Sequence, residues 1–434
     1  MSRLAIKGGK PVRRKPFPFY KTVGPEEKRA VMRVIDKGIL SDFLGSWHKR
    51  FYGGHEVRRL EEEWSRYFKV KHAIAVNSCT SGLYCAVAAV GVEPGDEVIV
   101  SPYTMSASAT AALIFNGVPI FADIENDYFC LDPASVASRI TKRTKAIITV
   151  DLFGQPYDAA KINRIARSKG LFVIEDAAQA PGARYKDRYA GTLGDIGVYS
   201  LNCHKHIQCG EGGVVVTNDA RLAEKVRLVR NHAEAVVGKK GEKDIVNMIG
   251  YNFRMTELEA AVSREQLKKL RRFVHRRIEN CNYIASKLDK IPAISSSPTR
   301  NGARHVYYLQ PFKFDQRIAG VHRDKFLNAV RAELAPTRLS EGLGVRIWSG
   351  YCSPLYTQPV YQKKIAYGKK GFPFMGAHYK GKVSYSQGIC PNVERIQKDE
   401  LFLNDLMHTS FTKKDLNDVI AAFEKVWEHR KEVV

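Results

Sequence analysis

A chain of 434 residues with 44% hydrophobic content has room for two or three domains and a large core. No run reaches the roughly 18 apolar residues of a membrane span, and the opening Met1–Lys7 is too short and too polar for a signal peptide, so the chain reads as soluble and cytoplasmic. The formal net charge of +24 favours anionic partners, and the cysteines at 79, 85, 130, 203, 209, 281, 352 and 390 are too scattered for a disulfide framework or a zinc site, so no metal is expected.

Taken in order, residues 1–70 read as an N-terminal arm followed by helices. Pro25-Glu26-Glu27 opens one helix, with proline in its first turn and acids near the positive end of the dipole. Residues 43–54 read as a loop, and 56–68 as a helix with Val57, Leu60 and Trp64 on one face. His72–Val76 is a strand that runs through Asn77-Ser78-Cys79-Thr80-Ser81-Gly82 into a helix. That arrangement suits an anion, because a helix N-terminus presents free N–H groups. It matches neither GxGxxG nor a P-loop, so neither NAD nor a nucleoside triphosphate is suggested.

Strands at 98–100, 119–123, 146–150 and 171–175 alternate with helices at 132–140 and 156–169. This rhythm predicts an α/β fold with a mainly parallel sheet and helices on both faces. Residues 231–247 read as a mobile loop, and Thr256 caps a following helix. Leu267, Leu270, Val274 and Ile278 give that helix an apolar face, and Lys268, Lys269, Arg271, Arg272, Arg276 and Arg277 a basic outer one. A basic stripe can track nucleic acid, but a solvated helix is the preferred reading. From about residue 272 the rhythm changes to a smaller α+β unit: strands at 306–312 and 345–348, a helix at 322–334, a long loop at 351–380 and a final helix at 414–433. The division expected is 1–271 and 272–434.

Two stretches carry the chemistry. Leu171-Phe172-Val173-Ile174 is a buried strand ending in Glu175-Asp176, and an acid at the C-terminal end of a parallel strand sits where open α/β sheets bind ligands. Such a carboxylate can pair with a protonated pyridine nitrogen. Downstream, Lys205 lies in Ser200-x4-Lys205 on a loop before Gly210-Glu211-Gly212-Gly213 and the strand Val214-Val215-Val216. A lysine amine becomes a nucleophile when burial or neighbouring charge favours its neutral form.

Asp176-x-Ala-Gln179, Ser200-x4-Lys205 and Gly-Glu-Gly-Gly, in that order, resemble the DegT/DnrJ/StrS family of pyridoxal-phosphate sugar aminotransferases, of fold type I. The similarity runs from Gly8-Gly9-Lys10-Pro11-Val12-Arg13 to Cys390-Pro391-Asn392, and these two ends look like the branch that aminates ketocyclitols and secondary metabolites. The resemblance implies pyridoxal 5'-phosphate as cofactor and Lys205 as the catalytic residue that forms its Schiff base. It implies Asp176 on the pyridine nitrogen, Gln179 on the ring hydroxyl, and Thr80, Ser81 and Ser200 on the phosphate. Met105 falls where the family places an aromatic residue stacked on the ring. Relatives often carry histidine where Asp151 stands. Asn252 is implied to reach the phosphate of a neighbouring subunit, hence a homodimer with shared sites. The donor is expected to be glutamate or glutamine and the acceptor a keto-sugar or ketocyclitol. Tyr307, Tyr308, Tyr351 and Tyr356 are candidate substrate neighbours that serve equally well as packing residues. Two other readings stay open. One is another pyridoxal-phosphate reaction such as sugar dehydration, against which Lys205 argues. The other is a catalytically silent binding or regulatory protein.

Overall fold

A computed structural model describes residues 3–433; Met1 and Ser2 of the opening stretch, and Val434, lie outside the described residues. The centre is a seven-stranded sheet built from β1 (His72–Val76), β2 (Glu97–Val100), β3 (Val118–Phe121), β4 (Thr144–Val150), β5 (Phe172–Asp176), β6 (Ile196–Ser200) and β7 (Gly213–Thr217), in the order β1-β7-β6-β5-β4-β2-β3. The pairs from β6 across to β3 are parallel, and β7 runs antiparallel between β1 and β6. Almost every residue of these strands is buried, as two covered faces require. The expected mainly parallel α/β architecture is therefore found. The C-terminal ends of β1, β4, β5 and β6 and the start of β7 meet along one rim.

The helices start where capping chemistry dictates. Asp132 accepts the N–H groups of Ala134 and Ser135 ahead of helix Pro133–Arg139. Thr256 and Glu259 form a reciprocal capping box at the head of the helix Glu257–Leu288. The expected change of rhythm near residue 272 falls inside this helix. Its first half packs into the core under the large sheet, through Ala260, Leu267 and Leu270. Its end, with Cys281, Ile284 and Leu288, enters a second core that also takes Leu4 and Phe17 of the arm. A four-stranded antiparallel sheet made of Ile294–Ser296, Gln310–Phe314, Leu401–Asn404 and Ile347–Ser349 backs this second core.

Three sequence expectations change. The stretch 231–247 contains a helix, Ala233–Lys240, which buries Ala233 and Val236 one turn apart; its closing Gly241 and internal Gly238 disguise it. The strand expected at 306–312 begins only at Gln310, because the backbone N–H groups of Val306 and Tyr308 bond Gly154 O (3.0 Å) and Phe153 O (2.7 Å) instead. Arg277 does not lie on the basic outer face. It is 1% exposed and donates to the carbonyls of Tyr307 and Tyr308 at 3.0 and 2.9 Å. Among the described residues no helix is long and apolar enough to cross a membrane, and all eight cysteines are free.

Candidate active site

The site lies on the rim where the strand ends converge. Asp176 closes β5 and is 5% exposed. Its Oδ2 accepts the Ser108 hydroxyl at 2.7 Å and its Oδ1 the Ala178 N–H at 3.1 Å. Burial pushes its carboxyl above the ordinary range; the Ser108 and Ala178 donors and the Lys205 charge pull the other way. Both hydrogen-bond donors are neutral. A cationic ring N–H facing this carboxylate would supply the charge it lacks.

Beyond the end of β1, Ser78 caps helix Cys79–Ala89 by accepting the Ser81 N–H at 3.0 Å. The Ser81 hydroxyl donates to Asn77 Oδ1 at 2.6 Å, and half-buried Thr80 stands in the same first turn. Two glycines let this helix end approach the sheet. A Cβ on Gly82 would fall 2.6 Å from Val198 Cγ1, and one on Gly213 would fall 2.7 Å from Cys79 N and Ser78 O. Ser200, 4% exposed, ends β6 directly opposite Gly213. A helix N-terminus with two hydroxyls in its first turn and a third on the adjoining strand is a donor set for a phosphate monoester.

Lys205 is half-buried on the loop between β6 and β7, its N–H held by Asn202 O at 2.9 Å. Its Nζ lies 4.3 Å from the Tyr308 ring centroid. On its N-terminal side His204 is exposed. On its C-terminal side His206 is fully buried and bonds Val306 O through Nε2 at 2.9 Å. Burial, reinforced by Arg277, holds the His206 imidazole well below its ordinary pKa, so it is neutral at pH 7.

Gln179, 4% exposed, is a clamp. Its Oε1 accepts the Phe153 N–H at 2.7 Å and its Nε2 donates to the Tyr351 hydroxyl at 3.0 Å. Both ends of the amide are thus engaged within the chain. Met105 is 65% exposed on the rim, whereas Tyr103 is buried and hydrogen-bonded to Gln397 at 2.6 Å. Tyr103 is therefore committed to packing, and Met105 is the side chain of that loop that stands open. Asn252 is exposed, with Arg254 Nε donating to its Oδ1 at 2.8 Å; its carbonyl accepts from Asn77 Nδ2 at 3.4 Å.

Ser108, Trp348 and Arg346, which the sequence did not single out, complete the site together with Tyr308 and Tyr351, which it did. Ser108 orients Asp176, and Arg277 secures the Tyr307–Tyr308 backbone. Tyr308, Tyr351, Trp348, His204 and Arg346 line a cavity of about 290 Å³ beside the lysine loop. The Arg346 guanidinium is paired with Asp405, so this cavity has aromatic walls and a compensated charge. A wider cleft of about 850 Å³ opens at the other end of β1, around His72, and is lined by ion-pairing side chains such as Glu61, Glu224 and Arg227.

Residues 44–385 match the family described as the DegT/DnrJ/EryC1/StrS aminotransferase family. The spore coat polysaccharide biosynthesis protein SpsC of Bacillus subtilis is 33% identical, over 83% of this chain and 89% of that protein. L-glutamine:2-deoxy-scyllo-inosose aminotransferase of Streptomyces kanamyceticus is 30% identical, over 99% of this chain and 98% of its own. A solved structure of DesI in the presence of its TDP-sugar product superposes with a TM-score of 0.79 at 26% identity, over 99% of this chain and 97% of that one. With its parallel sheet, rim carboxylate and loop lysine, the chain belongs to the DegT/DnrJ/EryC1/StrS aminotransferase family.

Proposed function

We propose that this protein is a pyridoxal 5'-phosphate-dependent aminotransferase that moves an amino group from glutamine or glutamate to the ring ketone of a sugar or ketocyclitol. The observation that carries the reading is the meeting, on one rim, of the Lys205 amine, the buried Asp176 carboxylate and the Thr80–Ser81–Ser200 donor set. Thr80, Ser81 and Ser200 would hold the phosphate, Asp176 the ring nitrogen and Lys205 the aldehyde carbon; Met105 would cover the ring from the open side. When bound, the cofactor supplies an electron sink for the carbon that gains or loses the amino group.

The chain's own residues do the rest. Lys205 Nζ would take a proton from the donor's α-carbon and return it to the cofactor's aldehyde carbon, and in the second half-reaction would carry one back from there to the acceptor carbon. The Tyr308 ring face steadies the ammonium form between these transfers. Asp176 holds positive charge at the ring nitrogen. The Tyr308–Trp348–Tyr351 cavity offers flat faces to the C–H surface of a six-membered ring. Glutamine as donor and a cyclitol or nucleotide-sugar acceptor are supported by what the relatives' names say of those proteins. Sugar dehydration is disfavoured by the lysine at 205.

Asn252 on an exposed loop supports a homodimer in which it reaches the partner's phosphate. Eight free thiols support the cytoplasm. A second core around Ile284, Phe312 and Phe423 supports a C-terminal unit in the proposed division at 1–271 and 272–434; Leu4 and Phe17 of the arm join it, while Leu355, Tyr356, Tyr361, Tyr385 and Val393 pack into the core of the large sheet.

The test is the absorbance spectrum of the purified protein before and after L-glutamine or L-glutamate. A visible band that moves into the near ultraviolet with one donor is expected. A protein that stays colourless and takes up no added cofactor sinks the reading.

A further inference from the structure

Asp151 follows β4 directly, and Glu175 is the penultimate residue of β5. Both are fully buried. One oxygen of each is satisfied by the backbone. Asp151 Oδ1 accepts the Tyr157 N–H at 2.9 Å, and Glu175 Oε2 accepts those of Leu193 and Gly194 at 2.7 and 3.1 Å. The other oxygens, Asp151 Oδ2 and Glu175 Oε1, are sealed from solvent with no donor. The two carboxyls lie within hydrogen-bonding reach of each other.

Two adjacent buried carboxylates cannot both stay ionised. The donors that reach them are all neutral N–H groups. The other titratable groups facing them are Asp176, Cys130 and the phenols of Tyr157 and Tyr199, with Arg188 beyond Tyr157. One proton between Oδ2 and Oε1 would satisfy both orphaned oxygens. Glu175, with more N–H donors, is the better anion, which leaves Asp151 as the acid.

What this pair holds is the turn 151–157. Phe153 there has a left-handed backbone, φ 58°. Gly154, φ 95°, leaves no room for a Cβ, which would fall 2.9 Å from Tyr307 N. The turn receives the N–H groups of Val306 and Tyr308, and the Phe153 ring meets Tyr351 edge-on at 5.2 Å. Tyr308 in turn carries the Lys205 amine. We infer that Asp151 and Glu175 share one proton, and that Asp151 is thereby a positioning residue: the pair fixes the turn that sets Tyr308 and Tyr351 beside Lys205.

Only the kinetic arm of the test rests on the proposed aminotransferase reading. In the infrared, the difference between wild type and Asp151→Asn at neutral pH is expected to contain the carbonyl stretch of a protonated carboxylic acid. A difference spectrum without that band overturns the shared proton, whatever the enzyme does. In thermal melts, raising the pH into the alkaline range is expected to lower the wild-type midpoint more than that of Asp151→Asn; parallel curves overturn it. In kinetics with the full chain, Asp151→Ala is expected to lose about tenfold or more in kcat, with Asp151→Asn recovering most of that loss. Equal losses in the two variants overturn the positioning role. If Asp151→Ala fails to fold, the wild-type and Asp151→Asn comparison in the infrared and in melting still decides.

Discussion

Lys205 Nζ sits 4.3 Å from the centroid of the Tyr308 ring, and the backbone N–H of Tyr308 is anchored on Phe153 O at 2.7 Å. The ring face is thus fixed before the lysine arrives. A cation–π contact of this kind is worth about 0.5–2 kcal/mol, so Tyr308→Ala is expected to lower kcat/KM by roughly 2- to 30-fold. Tyr308→Phe keeps the ring and should lose clearly less. Steady-state kinetics on the two variants check this; equal losses would place the effect in the hydroxyl.

Asp176 separates stability from activity. Burial raises its folded-state carboxyl above the unfolded value. Its contribution to stability is therefore full below about pH 3.9 and is lost as the pH rises through the folded value. Asp176→Asn removes that loss. The cofactor-free variant is expected to be more stable than wild type at neutral pH by about 1 kcal/mol, with a flatter pH dependence, while amino transfer falls by roughly a hundredfold or more. Melting curves of the cofactor-free proteins across the acid-to-neutral range test it. A variant that melts below wild type at neutral pH contradicts the account.

The approach of β7 to the helix end makes Gly213 a sharp probe. A Cβ there meets backbone atoms of Ser78 and Cys79 at 2.7 Å, and neither can turn aside. Gly213→Ala is expected to cost about 1–3 kcal/mol and to weaken cofactor retention by moving the phosphate donors. Gly238, in helix Ala233–Lys240 with open space around it, is the control. Gly238→Ala should gain about 0.5–1 kcal/mol. Urea midpoints and dialysis of the loaded protein measure both.

The shared-site dimer makes a combinatorial prediction. Lys205→Ala and Asn252→Ala chains should each be impaired alone. In a mixed dimer one site inherits both defects and the other inherits neither. Co-expression is therefore expected to restore up to about half the wild-type activity per mixed dimer. No gain above the separate variants would show that Asn252 serves its own subunit.

Much of this was legible in the sequence because it rests on local patterns. The run Phe172–Ile174 announced a strand buried on both faces, and its last residue, Asp176, had to emerge at the rim. Ser78 to Gly82 announced a helix start. The lysine loop between two strands was visible in its glycines. What stayed hidden was made by contacts distant in the chain. Arg277 reads as one more basic residue on a helix, but its guanidinium is consumed by carbonyls some thirty residues on. Tyr308 was one tyrosine among several until the turn at Phe153 drew its backbone out of the expected strand. Asp151 had no account as a lone residue, because its partner Glu175 lies one strand over. The helix at Ala233–Lys240 was masked by glycines that propensity reads as loop.

The helix Glu257–Leu288 runs unbroken for 32 residues, about 48 Å. Near its head Arg264 grips Glu56 and Glu63 on the helix His55–Phe68, at its middle Arg277 grips the Tyr308 backbone, and its tail is sunk in the second core. The joint between the two halves is therefore a beam rather than a hinge. Anything that displaces the Tyr308 backbone acts on a helix anchored at both ends, at the Glu56–Arg264 pair and in the second core. A glycine placed mid-helix, which costs about 1 kcal/mol of helix stability, is therefore expected to loosen the hold on Tyr308 without touching any residue that lines the site.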